Sequence, residues 1–155
     1  IGSIIITPER RKHHLFSLPY KASYLQYIVL KNTPFTTISQ LAGKRLGVYG
    51  HSPTADFAVQ QLNGNIQIKR FPGSMDMLYA LERGQVDAVL TNHAQTVYWV
   101  SNSNAYQLLG HKYLFEDGYG IMTSLGQNAL IQRVNQALLA MEQDGTYLKI
   151  YQDSF

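Results

Sequence analysis

Ile6-Thr7-Pro8-Glu9-Arg10, followed by Phe16-Ser17-Leu18-Pro19-Tyr20, is the stretch whose reading decides the fold. An apolar segment that ends in Thr-Pro-Glu-Arg leaves a guanidinium beside a turn and next to a helix start. An arginine placed there, Arg10, can clamp a carboxylate through two parallel charge-assisted hydrogen bonds. Taken alone, the same five residues read more simply as a surface arginine on a first helical turn. The rest of the chain decides between the two.

Upstream, Ile1 to Thr7 reads as an apolar strand, so the chain opens inside its fold, as a fragment or a product cut within it would. Downstream, Tyr24 to Lys31 reads as a buried strand, stopped by Asn32-Thr33-Pro34. Thr36 to Leu41 is a short helix with a Thr cap, closed by Gly43. Arg45 to Tyr49 is a strand that runs into the turn Gly50-His51-Ser52-Pro53, and Pro53 is well placed at or near the first turn of a helix reaching about Leu62. Asn65 to Phe71 reads as a strand, Ser74 as the cap of a helix ending at Gly84, and Val86 to Thr91 as a short apolar strand. Asn92 can cap the next helix, to about Val100, and Tyr106 to Leu109 is a further strand. Strands alternating with short helices imply an α/β fold with a largely parallel sheet. The last third reads differently: a strand over Gly118 to Thr123, then a long helix opened by Ser124 or Gln127. Its apolar residues Leu130, Ile131, Val134, Leu138 and Met141 share one face. Asp144-Gly145 stops it, and Thr146 starts a last short helix.

Composition narrows the function classes. In 155 residues, the 45% hydrophobic and 15% charged fractions are those of a globular protein. No apolar run approaches the roughly 20 residues of a membrane-spanning helix. The net charge is only +3, and the 13 basic residues are scattered apart from Arg10-Arg11-Lys12, which argues against a nucleic-acid binder. With no cysteine, disulfides and thiolate metal sites are excluded, while the compartment stays open between cytosol and periplasm. The five histidines include no compact i, i+4 pair, so no metal site or other cofactor is expected. No Gly-x-Ser-x-Gly elbow points to a hydrolase.

In this order the pieces resemble the type II periplasmic solute-binding proteins of amino-acid ABC transporters. The closest look is to the lysine/arginine/ornithine-, histidine- and glutamine-binding proteins. The resemblance covers the whole chain. Its motifs are Ile6 to Arg10, Phe16 to Tyr20, Leu41-Ala42-Gly43-Lys44-Arg45-Leu46-Gly47-Val48, Gly84-Gln85-Val86-Asp87-Ala88-Val89-Leu90 and Asp144-Gly145-Thr146-Tyr147. The resemblance implies two α/β lobes that close on a ligand, one nearly complete and one partial. Residues 25–118 would form the second lobe, and residues 1–24 and 119–155 would belong to the first, whose opening portion is absent. The leftover strand Ile1 to Thr7 would pair with another chain, giving self-association through the truncated lobe, or pack irregularly.

By the same resemblance Arg10 binds the ligand's α-carboxylate. The family position two residues before Thr7, which carries a hydroxyl, is here Ile5; Ser3, two residues earlier still, remains a candidate. The second lobe would offer Tyr49 as a packing surface and the helix start after it to the same anion. Pro53 removes one backbone donor there. Ser52 and Thr54 serve either as ligand contacts or as helix caps. Asn92 stands where the family places an Asp that pairs with the α-ammonium. An amide keeps hydrogen-bonding capacity and loses the charge. Asn92 is equally an ordinary helix N-cap, and a carboxylate without an ammonium fits Arg10 with Asn92 as well as an amino acid does.

The expectation is a periplasmic (extracytoplasmic) ligand binder without catalytic residues, presenting a captured amino acid or related carboxylate to a membrane permease. The alternatives are a sensory module of the same fold and, further off, a cyclohexadienyl dehydratase-like enzyme, for which neither Glu9 nor Glu82 stands in an obvious acid–base position.

Overall fold

The computed structural model describes residues 2–50 and 52–154, so His51, expected in the turn after Tyr49, lies outside the described residues, as do Ile1 and Phe155. The chain divides into two compact units: Ile1–Ser23 with Phe115–Phe155, and Tyr24–Leu114. The first segment of the first unit holds α1 (Pro8–Arg11) and β1 (His14–Phe16).

The second unit then runs β2 (Tyr24–Leu30), a 3-10 turn (Ile38–Leu41), β3 (Arg45–Tyr49), α2 (Thr54–Gln61), β4 (Gln67–Phe71), α3 (Ser74–Glu82), β5 (Ala88–Asn92), α4 (His93–Asn102) and β6 (Tyr106–Leu114). Its sheet has the order β4-β3-β5-β2-β6. β3 is parallel to both β4 and β5, with Tyr49 opposite Phe71 and Gly47 opposite Val89. β2 is antiparallel to β5 and β6. The sheet is therefore mixed, not largely parallel. Strand alternation reports that helices intervene, and it carries no information on the direction in which the chain enters through β2.

Burial follows position in the sheet. β2 lies between two neighbours, and Leu25 to Val29 are all buried. β4 is an edge strand and keeps Lys69 and Arg70 exposed, which blunts an otherwise open ladder. Under α3 and α4, Ile28, Met77, Leu81, Val89, Trp99 and Tyr106 form one apolar cluster. Each such side chain contributes about 1.5–3 kcal/mol.

Local expectations need adjusting at several points. Gly73, not Ser74, is the N-cap of α3, extended at φ −144°. A side chain at Gly73 would run into the Asp76 carboxylate, 2.7 Å from the Cβ position. Pro53 does stand near the first turn of α2, as its N-cap. β6 runs on through Gly110, whose φ of +70° accompanies an irregular register against β2, to Leu114.

In the first unit's second segment, β7 (Met122–Ser124) is followed by α5 (Asn128–Gln143) and α6 (Thr146–Ser154). β7 pairs with β1 in a two-stranded antiparallel sheet, Leu15 opposite Thr123. The strands expected over Ile1 to Thr7 and Gly118 to Thr123 shorten to a bridge between Ile5 and Tyr119 and to β7. The ladder still forms in part, since Ile6 N–H donates to the Gly118 carbonyl at 2.8 Å and Gly120 N–H to Ile4 at 3.0 Å. Gly120 permits this closeness: a Cβ there would sit 2.7 Å from Ile6 Cδ1.

Candidate functional site

In the first unit, Thr7 caps α1 by accepting from the Arg10 N–H at 3.2 Å. With Pro8 at the first helical position, the cap fixes a single turn that carries Arg10 forward. The guanidinium then folds back, and Nη1 donates to the Ile5 carbonyl at 2.7 Å. Ile5, whose side chain cannot hydrogen-bond, thus orients Arg10 through its main chain. A guanidinium has five N–H donors, so one bond of this kind positions it and leaves a fork for a carboxylate. Ser3 lies exposed in a bend two residues before Ile5.

The Phe16 to Tyr20 motif holds the same unit together. Ser17 N–H donates to the Ile121 carbonyl at 2.9 Å, and Ser17 Oγ accepts from Ile121 N–H at 3.0 Å. Tyr20 Oη donates to the Gly2 carbonyl at 2.6 Å, and the Tyr147 hydroxyl donates to the Tyr20 carbonyl.

In the second unit the candidates gather at the carboxyl ends of β3, β4 and β5, the edge where ligands bind in open α/β sheets. The parallel register brings Tyr49, at the end of β3, and Asn92, at the end of β5, to this edge. Tyr49 is half exposed and free to pack on a ligand. The turn after it hangs from β4. Gly50, at φ +40°, donates its N–H to the Phe71 carbonyl at 2.8 Å, and its own carbonyl accepts from Arg70 Nη1 at 2.7 Å. Ser52 N–H returns to the Tyr49 carbonyl at 3.1 Å. The Ser52 and Thr54 hydroxyls bond each other, and neither caps α2, whose N-cap Pro53 makes no side-chain cap bond.

Asn92 caps α4: its Oδ1 accepts from Gln95 N–H at 2.9 Å. Thr91 Oγ1 donates to Gln95 Oε1 at 2.9 Å. His93, the first residue of α4, has a buried Nδ1 without a partner among the described residues. Desolvation, and then the nearby Lys112 charge, hold its pKa below the usual histidine value. Among the described residues no group of three His, Cys, Asp or Glu side chains could hold a metal ion.

Sequence reasoning missed Arg70, the Ile5 carbonyl and Gln95. Nothing in the run Lys69-Arg70-Phe71 marks a guanidinium that reaches across to the neighbouring strand's turn. A main-chain acceptor such as Ile5 carries no residue-type signal at all.

The model of the bacterial extracellular solute-binding proteins, family 3, matches residues 1–155. A solved arginine 3rd transport system periplasmic binding protein from Legionella pneumophila is 39% identical. It superposes with a TM-score of 0.92 over 100% of this chain and 71% of its own. The putative ABC transporter arginine-binding protein 2 of Escherichia coli is 29% identical over 154 residues, 97% of this chain and 63% of that protein. An ABC transporter glutamine-binding protein of Bacillus subtilis is 28% identical over 153 residues, 97% of this chain and 55% of that protein. The chain thus spans less than two thirds of the length of these curated relatives. The fold is the α/β fold of type II periplasmic binding proteins.

Proposed function

The chain belongs to the bacterial extracellular solute-binding proteins of family 3, and on that premise we propose that it is the solute-binding component of an amino-acid ABC transporter. Its ligand is a small carboxylate-bearing solute, an amino acid or a close relative, handed on to a membrane permease. It works outside the cytoplasm, in the periplasm, as a binder and not as an enzyme. Residues 25–118 then correspond to one lobe of the family, and residues 1–24 with 119–155 to part of the other. Arg10 takes the carboxylate, with Ser3 near it in sequence. Tyr49, Ser52, Thr54 and Asn92 are the contacts offered by the second unit.

The observation that carries this reading is the set of Arg10. A capped single turn and the Ile5 carbonyl at 2.7 Å fix the guanidinium by one nitrogen. A bare surface arginine has no need of such positioning.

Thermal unfolding against a panel of amino acids and related carboxylates tests it. A ligand at 100 times its dissociation constant adds about 2.7 kcal/mol of stability. We expect a clear shift with one solute class, lost in Arg10→Ala. A shift that survives Arg10→Ala removes the anchor role. No shift across the panel favours the sensory module, in which the fold persists without the site.

A further inference from the structure

Asn92 decides what kind of group the second unit can receive. A backbone N–H can only donate, so the bond from Gln95 N–H compels the Asn92 amide to turn Oδ1 inward to the helix. Both remaining hydrogens, on Nδ2, are then directed away from the cap. Gln95 repeats the pattern, since its Oε1 is taken by the Thr91 hydroxyl. At the end of β4 the Arg70 guanidinium adds donors only. Next to Asn92 the buried Nδ1 of His93 lacks a partner among the described residues, and on a neutral ring it can donate or accept. Of the three helices that start at this edge, α2 and α3 carry an acidic residue in the first turn, Asp56 and Asp76, and α4, which Asn92 caps, carries none.

We propose that Asn92 is a specificity-determining residue, and that the solute turns a hydrogen-bond acceptor, not an ammonium, toward it. An ammonium set against N–H donors loses its hydration and gains no partner, whereas a carbonyl or hydroxyl oxygen is matched. The solute class is a carboxylate whose second polar group is an acceptor, as in 2-oxo acids. This rests on the solute-binding reading above and narrows it.

The test compares L-glutamate, L-glutamine and L-arginine with their 2-oxo acids by calorimetry, in the wild-type protein, Asn92→Asp and Arg10→Ala. Each pair differs only at the α-carbon. Asp caps a helix as well as Asn, so Asn92→Asp should keep the thermal midpoint while placing a carboxylate where Nδ2 stood. The expected result is that a 2-oxo acid binds the wild type at least tenfold tighter than its amino acid, and that Asn92→Asp reverses the order. Tighter binding of the amino acid to the wild type, lost in Arg10→Ala, overturns this proposal and leaves the solute-binding reading standing. An order unchanged by Asn92→Asp also overturns it. Binding of none of the six overturns the solute-binding reading itself.

Discussion

Arg45 and Asp87 come from two separate sequence motifs and meet as one bidentate pair. Arg45 Nε lies 3.0 Å from Asp87 Oδ2 and Nη2 lies 2.9 Å from Oδ1. The Arg45 N–H donates to the same carboxylate at 2.8 Å, and the Asp87 N–H answers to the Arg45 carbonyl at 2.8 Å. The pair sits at the amino ends of the parallel strands β3 and β5, opposite to the candidate site, and pins their register.

Side-chain hydrogen bonding from Arg45 is the largest influence on the Asp87 carboxyl, and it outweighs partial burial to hold the pKa below the ordinary 3.8. A depressed carboxyl contributes stability that is fully present above its unfolded value and is lost as pH falls through the folded one. Asp87→Asn should therefore be less stable than wild type at pH 6 by on the order of 1 kcal/mol, since the pair is partly exposed. Denaturant melts repeated downward from about pH 4 should show the gap shrinking. A gap independent of pH would mean that the charge is irrelevant.

Thr7→Val keeps shape and removes the α1 cap. The loss of the bond to Arg10 N–H should cost about 1 kcal/mol. Because that turn carries Arg10, solute affinity should fall as well. Amide exchange at Arg10 reports the cap directly, and unchanged protection would show that the turn does not need it.

Gly118→Ala should be among the most damaging single substitutions. Gly118 has φ +87°, and a Cβ there would stand 2.6 Å from the Lys21 carbonyl oxygen, a main-chain atom that cannot swing aside. We expect a loss of about 2 kcal/mol or more from strain and overlap together, measured by chemical denaturation.

Arg70→Ala should loosen the Gly50 turn while leaving the exposed edge strand folded. The expected signature is faster exchange at the Gly50 and Ser52 amides, a nearly unchanged thermal midpoint, and weaker solute binding that Arg70→Lys restores only in part. Unaltered affinity would reduce the Arg70 bond to a surface detail.

Much of this was readable from residue types because it is local. Asn92 acts within three residues of itself, and its cap appears where a small polar side chain precedes a helix. The alternation of helix and strand in the second unit also follows from local periodicity. What stayed hidden depends on distant or typeless partners. The direction of β2 depends on its ladders with β5 and β6. Gly73 stands as the cap of α3 in place of Ser74 and makes no side-chain cap bond, so no polar residue type marks it. Arg70 acts through the Gly50 carbonyl, and Arg10 through that of Ile5. Main-chain acceptors exist at every residue, so no sequence pattern singles them out.

The antiparallel pairing of Tyr24 with Leu114 has a consequence for how the chain is assembled. The first and last residues of the second unit are ladder neighbours, with strands about 5 Å apart. To the rest of the polypeptide the whole unit therefore behaves as a single closed loop. Once it has folded, Ser23 and Phe115 arrive already joined, Phe115 N–H on the Ser23 carbonyl at 2.8 Å. The entropy of bringing the two distant segments of the first unit together is then largely met before they begin to pack.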